Sequence, residues 1–220
     1  LQGMHVKADN DFPYQLGDSA VNQRNAAYQL YALSHALHFR GTSPLSFSLH
    51  SWYQHNWREL QGARTNLNAS DVLQDQHLRL LGQLLYSAGN ASHQLKLGYT
   101  QDDQEYNQDD PITTHRLFAS WETELTRFHN LLVKVGANYN RLRAIVPSYA
   151  SSITEHRNDL YLSLLYQASP RLKIGVNARQ PVINGVARAF TPSIFAERRL
   201  KQKESLDLSW RVQLNRSYRL

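Results

Sequence analysis

The segment Leu131-Leu-Val-Lys-Val-Gly-Ala-Asn-Tyr139 alternates without a fault: Leu131, Val133, Val135, Ala137 and Tyr139 share one face, and Leu132, Lys134, Gly136 and Asn138 share the other. A period of two is that of a two-faced β-strand. The same device returns in Leu95, Leu97 and Tyr99, in Leu160, Leu162, Leu164 and Tyr166, and in Leu206, Leu208, Trp210, Val212 and Leu214. Several rows end in an aromatic residue, and the joints between them are alternately short and long. The pattern predicts an all-β chain, a wall of long antiparallel strands with an apolar outside, a wet inside and aromatic collars, which is how a transmembrane β-barrel reads.

Composition is compatible with that wall. A chain of 220 residues with 41% hydrophobic content and a mean hydropathy of -0.55 has the averages of a soluble protein, because only every second strand residue of a barrel faces lipid. No run approaches the roughly 18 apolar residues that a membrane helix needs, which excludes a helical membrane protein. Zero cysteines removes thiolate metal sites, thiol catalysis and disulfide staples. Lys+Arg 24 against Asp+Glu 18 leaves a net charge of +6, but the cations are scattered among polar faces and turns. Their densest cluster, Arg198-Arg-Leu-Lys-Gln-Lys203, reads as a strand end, and with neither a recognition helix nor an aromatic RNA-binding signature, no nucleic-acid partner is expected. The first residues, Leu1-Gln-Gly-Met-His, enter mid-pattern without a signal peptide, so the chain is expected to be part of a longer one.

About eleven strands satisfy the alternation criterion: Gln2 to Ala8, Ala27 to Phe39, Leu45 to Trp57, His77 to Tyr86, Gln94 to Thr100, His115 to Leu125, Leu131 to Asn140, Asn158 to Gln167, Leu172 to Arg179, Ile194 to Leu200, and Ser205 to about Asn215. Tight connections at Arg40 to Pro44, Ser87 to Ser92, Thr126 to Asn130, Ala168 to Pro170 and Lys201 to Glu204 alternate with long ones at Arg58 to Gln74, Gln101 to Pro111, Arg141 to His156 and Gln180 to Ala189. In bacterial barrels the short turns are periplasmic and the long loops external, so the alternation gives each strand a direction. Phe39, Tyr86 and Tyr166 then precede short turns, and Tyr53, Tyr99 and Tyr139 precede long loops, as two interfacial girdles would. From Leu131 to Tyr139, eight steps of about 3.3 Å at a tilt near 40° rise roughly 20 Å, close to the apolar band of ~25 Å. A soluble sandwich also alternates, but its strands are nearer five or six residues long. The orientation of the strand from Ala27 to Phe39 stays open, since His35 falls in its apolar row and Tyr28, Leu30 and Ala32 make the other row apolar too.

The succession Asp11-Phe-Pro-Tyr14, Leu45-Ser-Phe-Ser-Leu-His-Ser-Trp-Tyr53 with Arg58-Glu-Leu-Gln-Gly62, Phe190-Thr-Pro-Ser-Ile194 and Trp210-Arg-Val-Gln-Leu-Asn-Arg-Ser-Tyr-Arg-Leu220 resembles the barrel of a TonB-dependent outer-membrane receptor of the type common in Bacteroidetes. The resemblance implies a 22-stranded barrel plugged by an N-terminal domain, of which residues 1–220 would be a barrel portion without the plug or the terminal strands. It also implies uptake of a metal chelate such as a siderophore, haem or cobalamin, with the receptor's own plug domain, the TonB complex acting through that plug, and outer-membrane lipid and lipopolysaccharide as partners.

The chemistry-bearing residues point to a binding and transport role rather than catalysis. Ser46, Ser48 and His50 share one face, yet no nucleophile elbow, phosphate loop or complete triad accompanies them; no catalytic residue and no cofactor is assigned. The acidic run Gln101 to Asp110 lacks EF-hand spacing, and His55, His77, His93 and His115 sit on different elements, so no metal site is assigned either. Parity places Arg79, Lys96, Arg116, Glu122, Lys134, Asn138, Asn177, Arg179, Asp207 and Arg211 on the inward face as lumen lining. In the long loops, Arg143, Tyr149, Arg157 and Arg188 are the candidates for first contact with an anionic chelate, since guanidinium groups orient carboxylate or catecholate ligands and tyrosine offers flat contact area. The competing reading is a smaller, self-contained outer-membrane barrel acting as a hydrolase or an adhesin.

Overall fold

The computed structural model describes residues 1–10, 13–22, 25–60, 71–107, 109, 111–128, 130–149, 151–203 and 206–216. Parts of the Asp11 to Tyr14, Arg58 to Gly62, Lys201 to Glu204 and Trp210 to Leu220 phrases, and the side chain of Asp207, lie outside the described residues. In chain order the strands are β1 (Gln2–Ala8), β2 (Pro13–Leu16), β3 (Ser19–Asn22), β4 (Tyr28–Arg40), β5 (Leu45–Glu59), β6 (Val72–Ala88), β7 (Ala91–Tyr106), β8 (Ile112–Phe128), β9 (Leu131–Ile145), β10 (Ile153–Ser169), β11 (Leu172–Ile183), β12 (Val186–Ala187), β13 (Thr191–Lys203) and β14 (Leu206–Asn215). Eleven of them form one antiparallel path in sequence order, β1-β4-β5-β6-β7-β8-β9-β10-β11-β13-β14, with β12 attached to β11 and β2–β3 a separate hairpin. Every neighbour pair is joined by the connection that follows it in the chain. Such up-and-down pairing is the topology of a barrel wall.

Register carries the sequence alternation across the whole wall. Val133 stands between Leu125 and Leu164, Leu164 faces Val176, and Val176 faces Ile194, which faces Leu214. On the other side Leu95 joins Trp121 to Leu84, and Leu84 meets Phe47, which meets Phe39. These rows form one continuous apolar face, and it is bare: Leu97, Leu160, Val212 and Leu214 are each more than half exposed. Among the described residues the buried apolar set is only Ala26, Leu30 and Ile183, because a single layer has nothing to close over it. An apolar face of this extent, unmatched by a second sheet, requires an apolar solvent. The fold is therefore a transmembrane barrel wall rather than half a sandwich. Register also settles the orientation of β4: Leu33, Leu37 and Phe39 pair with Tyr53, Leu49 and Phe47, so the row containing His35 belongs to the apolar face, with His35 opposite Ser51.

The strands are longer than the apolar rows. β6, β8 and β10 have 17 residues each, or roughly 55 Å at about 3.3 Å per residue, well beyond the span of an apolar band ~25 Å tall even at a tilt near 40°. Part of each expected long loop is therefore strand. Gln101 to Tyr106 continues β7, Arg141 to Ile145 continues β9, and Ile153 to His156 opens β10. Beyond the membrane both faces meet water, so alternation fades while the backbone ladder continues. At the opposite edge the turns are tight, as at Ala88 and Ala91, which pair across Gly89-Asn90 with Gly89 at φ 57°, the left-handed geometry that two-residue hairpins need. A second such turn lies inside the segment Gln180 to Ala189: Ile183 pairs with Val186 across Asn184-Gly185, at φ 50° and 80°.

Candidate functional site

The face opposite the apolar rows holds the polar groups. Arg79, Lys96, Arg116, Glu122, Lys134, Asn138, Asn177, Arg179 and Arg211 all fall on it by register: Glu124 faces Lys134, Lys134 faces Ser163, and Ser163 faces Asn177, while Glu122, Gly136, Tyr161 and Arg179 form the next row. Asp207 pairs with Gln202 at the backbone.

Between β8 and β11 this face is a closed network. Gly136 has no side chain, so the Tyr161 ring lies over it and its hydroxyl donates to Glu122 Oε2 at 2.7 Å, reaching across the intervening strand. A Cβ on Gly136 would stand inside contact distance of the Tyr161 ring and of the Trp121 carbonyl. Lys134 Nζ is 2.6 Å from Glu124 Oε2. Asp159, with a side chain only 7% exposed, accepts from Arg179 Nη2 at 2.7 Å and Nε at 3.2 Å. A carboxylate this buried needs such a forked partner, since an unpaired charge out of water is costly. Ser163 donates to Asn177 at 2.7 Å. A second glycine joint follows, with the Phe195 ring over Gly175 and the Arg211 guanidinium 4.2 Å from the centre of that ring.

From β4 to the first part of β8 the same face opens into a cavity of about 880 Å³, whose lining includes His50, Trp52, Arg79, Thr100, Arg116 and Phe118. The wall is thus concave on its polar side. At the cavity's upper border Asp102 accepts from Arg79 and is 2.6 Å from His77 Nδ1. Trp52 stacks on His77 with ring centres 6.1 Å apart, and the Arg79 guanidinium lies 5.9 Å from the Trp52 ring. Arg116 donates to Asn140 Oδ1 at 3.0 Å, and Lys96 stands between Gln83 and Ser120 with no carboxylate partner among the described residues. His38 and His50 meet edge to face at 4.9 Å, and among the described residues no carboxylate bonds to either. No group of three metal-ligating side chains occurs among the described residues.

Of the four residues expected to meet ligand, two border the same end of β11 at the backbone. Arg157, in β10, faces Asn140 and Ile183 on the polar side, and Arg188 donates its amide to the carbonyl of Pro181, the residue opposite Asp159. Arg157 lies 3.6 Å from Glu155, and the Nε atoms of Arg157 and Arg188 are both buried without a partner. Tyr149 sits in the turn after β9, its amide bonded to Val146 and its ring exposed. Arg143 is in β9 and faces His115 and Thr154, on the apolar side of the wall and away from Arg157. Parity from the sequence finds the charged residues of the lining but not their aromatic and acidic partners Trp52, Asp102, Asp159 and Tyr161. Gly136, alone in the middle of a polar row, was the available sign of a ring lying over it.

No family model matches the sequence, and no curated protein matches it. Solved structures do. The siderophore receptor PirA from Pseudomonas aeruginosa superposes on 91% of this chain and 40% of its own, with a TM-score of 0.69 at 11% identity. A mutant of the ferric enterobactin receptor PfeA from the same organism covers 88% of this chain and 34% of its own, with a TM-score of 0.67 at 10% identity. The fold is that of a receptor barrel wall. The chain spans less than half the length of either receptor.

Proposed function

We propose that this wall belongs to an outer-membrane receptor that imports a metal chelate in a TonB-dependent manner. The observation that carries the reading is the division of the sheet into a bare apolar face and a concave, charged one. In a closed barrel the first meets lipid and the second encloses a polar lumen. The backbone edges of β1 and β14 need partners in lipid, and further strands of a longer chain would supply them. A plug domain seated against Arg79, Arg116 and Lys96 would fill the concavity, and TonB would act on that plug. Ligand capture falls to Arg157, Arg188 and Tyr149 at the long-loop rim: two guanidinium-bearing residues bordering the end of β11 and an exposed tyrosine suit an anionic chelate.

Two measurements test this. Arg at Val135 or Leu162 is expected to cost about 2 to 4 kcal/mol for folding into lipid vesicles, whereas Arg at Asn138 or Asn177 is tolerated; equal damage on both faces contradicts the membrane orientation. In cells making the full-length protein as sole receptor, uptake of radiolabelled ferric siderophores is expected to require TonB and to fall in an Arg157→Ala/Arg188→Ala variant. Uptake that persists without TonB refutes the import mechanism.

A further inference from the structure

Just beyond the apolar rows at the long-loop edge, the lipid-side face changes character. Tyr99 and Tyr139 end the rows, facing Leu117 and Ala119 respectively. One step higher, Leu117 faces Arg141 and Arg141 faces His156; His115 faces Arg143. The four basic side chains are thus neighbours on adjoining strands, on one side of the sheet. Each imidazole is held by the tyrosine below it: the Tyr99 hydroxyl is 2.9 Å from His115 Nδ1, and the Tyr139 hydroxyl is 3.1 Å from His156 Nδ1. Both arginines are exposed, and neither forms an ion pair with a described residue. Glu155, next to His156, lies on the other face beside Arg157. At the far ends of β9 and β10 the lipid-side face closes on Leu131 and Tyr166, without a charge.

We infer that Arg141, Arg143, His115 and His156 form a binding site for the phosphate groups of an outer-leaflet glycolipid. Height selects the occupant: a group on the lipid side of the wall, directly above the aromatic collar, meets lipid headgroups and is screened by the wall from anything in the lumen. Charge selects its chemistry. Two unpaired guanidinium forks match phosphate oxygens, and the tyrosine-held imidazoles add N–H donors in fixed directions. The lipid's acyl chains would then run down the rows of Leu117, Trp121 and Ala137. Arg143 therefore serves the membrane rather than cargo.

The inference rests on the outer-membrane reading, and the test separates the two. Full-length protein is purified in detergent, and retention of bisphosphorylated lipid A is measured by native mass spectrometry, with monophosphorylated lipid A and inorganic phosphate as further probes. Arg141→Ala/Arg143→Ala is expected to weaken retention on the order of 30-fold, with heat-resistant migration on gels unchanged. Arg141→Lys/Arg143→Lys keeps the charge and is expected to recover part of the binding. Lys96→Ala/Arg116→Ala, on the inner face, is expected to leave it unchanged. Retention unaffected by the double alanine variant, or reduced equally by the inner-face pair, overturns the site. So does equal competition by inorganic phosphate, which would mean a free-anion site. Protein that inserts into lipid vesicles but shows no preference for phosphorylated lipid overturns this inference alone; protein that fails to insert overturns the membrane reading with it.

Discussion

The polar face has two halves built on different plans. From β8 to β11 the side chains answer one another, with Glu122 and Tyr161 joined over Gly136, Glu124 held by Lys134 and Asp159 gripped by Arg179. From β4 to the first part of β8 they border a space: His50, Trp52, Arg79 and Arg116 stand around about 880 Å³, and Lys96 has no carboxylate beside it among the described residues. The first half resembles a protein interior, in which polar groups are satisfied from within. The second resembles a binding surface, with groups left over for something that is not part of the wall. Paired polar groups and cavity-lining ones are therefore concentrated in different parts of the wall.

The largest expected contrast uses one methyl group. Gly136→Ala should cost about 2 to 4 kcal/mol, from overpacking against the Tyr161 ring and loss of its bond to Glu122. Gly98→Ala, whose new Cβ would meet the Phe118 ring at an ordinary 3.4 Å, should stay within about 0.5 kcal/mol. Urea unfolding of the vesicle-inserted protein measures both, and similar losses would erase the distinction between the halves. A smaller effect sharpens it. A double-mutant cycle of Tyr161→Phe and Glu122→Gln should report a coupling of about 1.5 kcal/mol, while Ser48→Ala and His50→Ala should show no coupling by the same assay. Thr100→Trp, which places a bulky ring in the cavity, should leave unfolding within about 0.5 kcal/mol of the parent and yet reduce uptake of radiolabelled ferric siderophore; unchanged uptake would mean that the space is not in use.

The smallest effect lies outside the membrane. Asn107, at φ 54°, donates to Asp71 Oδ1 at 2.7 Å and accepts from the Val72 amide, tying two connections together. The hydrogen bond from Asn107 holds the Asp71 carboxyl below the usual carboxylate range, with Tyr106 adding to it. A carboxyl depressed by folding stabilises the folded form above its unfolded pKa, and that contribution fades as pH falls through the folded value. The tie should therefore persist through mildly acidic pH and loosen only below the ordinary carboxylate range. NMR titration of Asp71 checks this, and Asn107→Ala should move its midpoint upward.

How legible the molecule was follows from what a sequence can encode. The rows Leu131 to Tyr139 and Leu160 to Tyr166 were plain, because lipid on one side and water on the other force a period of two. Gln101 to Tyr106 and Arg141 to Ile145 were not, because above the membrane both sides are wet and a strand looks like a loop. The Asn184-Gly185 turn is encoded in its two residues but lies within a longer polar stretch that reads as one loop. For the site, parity sorted Glu122, Lys134 and Arg179 to one face, but the union of Glu122 with Tyr161 depends on register, which no single strand specifies. The separation of Arg143 from Arg157 depended on knowing that both are strand residues, since parity has no meaning in a loop.

The glycine at the centre of the closed half has a further consequence, for the register in which the strands pair. Slipping β9 past β10 by one residue would exchange the two faces, and the membrane itself rejects that error. A slip of two residues would not be rejected in that way, since every apolar side chain would still face lipid. It would, however, set Tyr161 opposite Lys134 or Asn138 instead of Gly136, and the ring would have nowhere to lie. The same slip between β11 and β13 would bring Phe195 against Lys173 or Asn177 rather than Gly175. A ring seated over a glycine thus opposes a slip of two residues, a misalignment that hydrophobicity cannot detect.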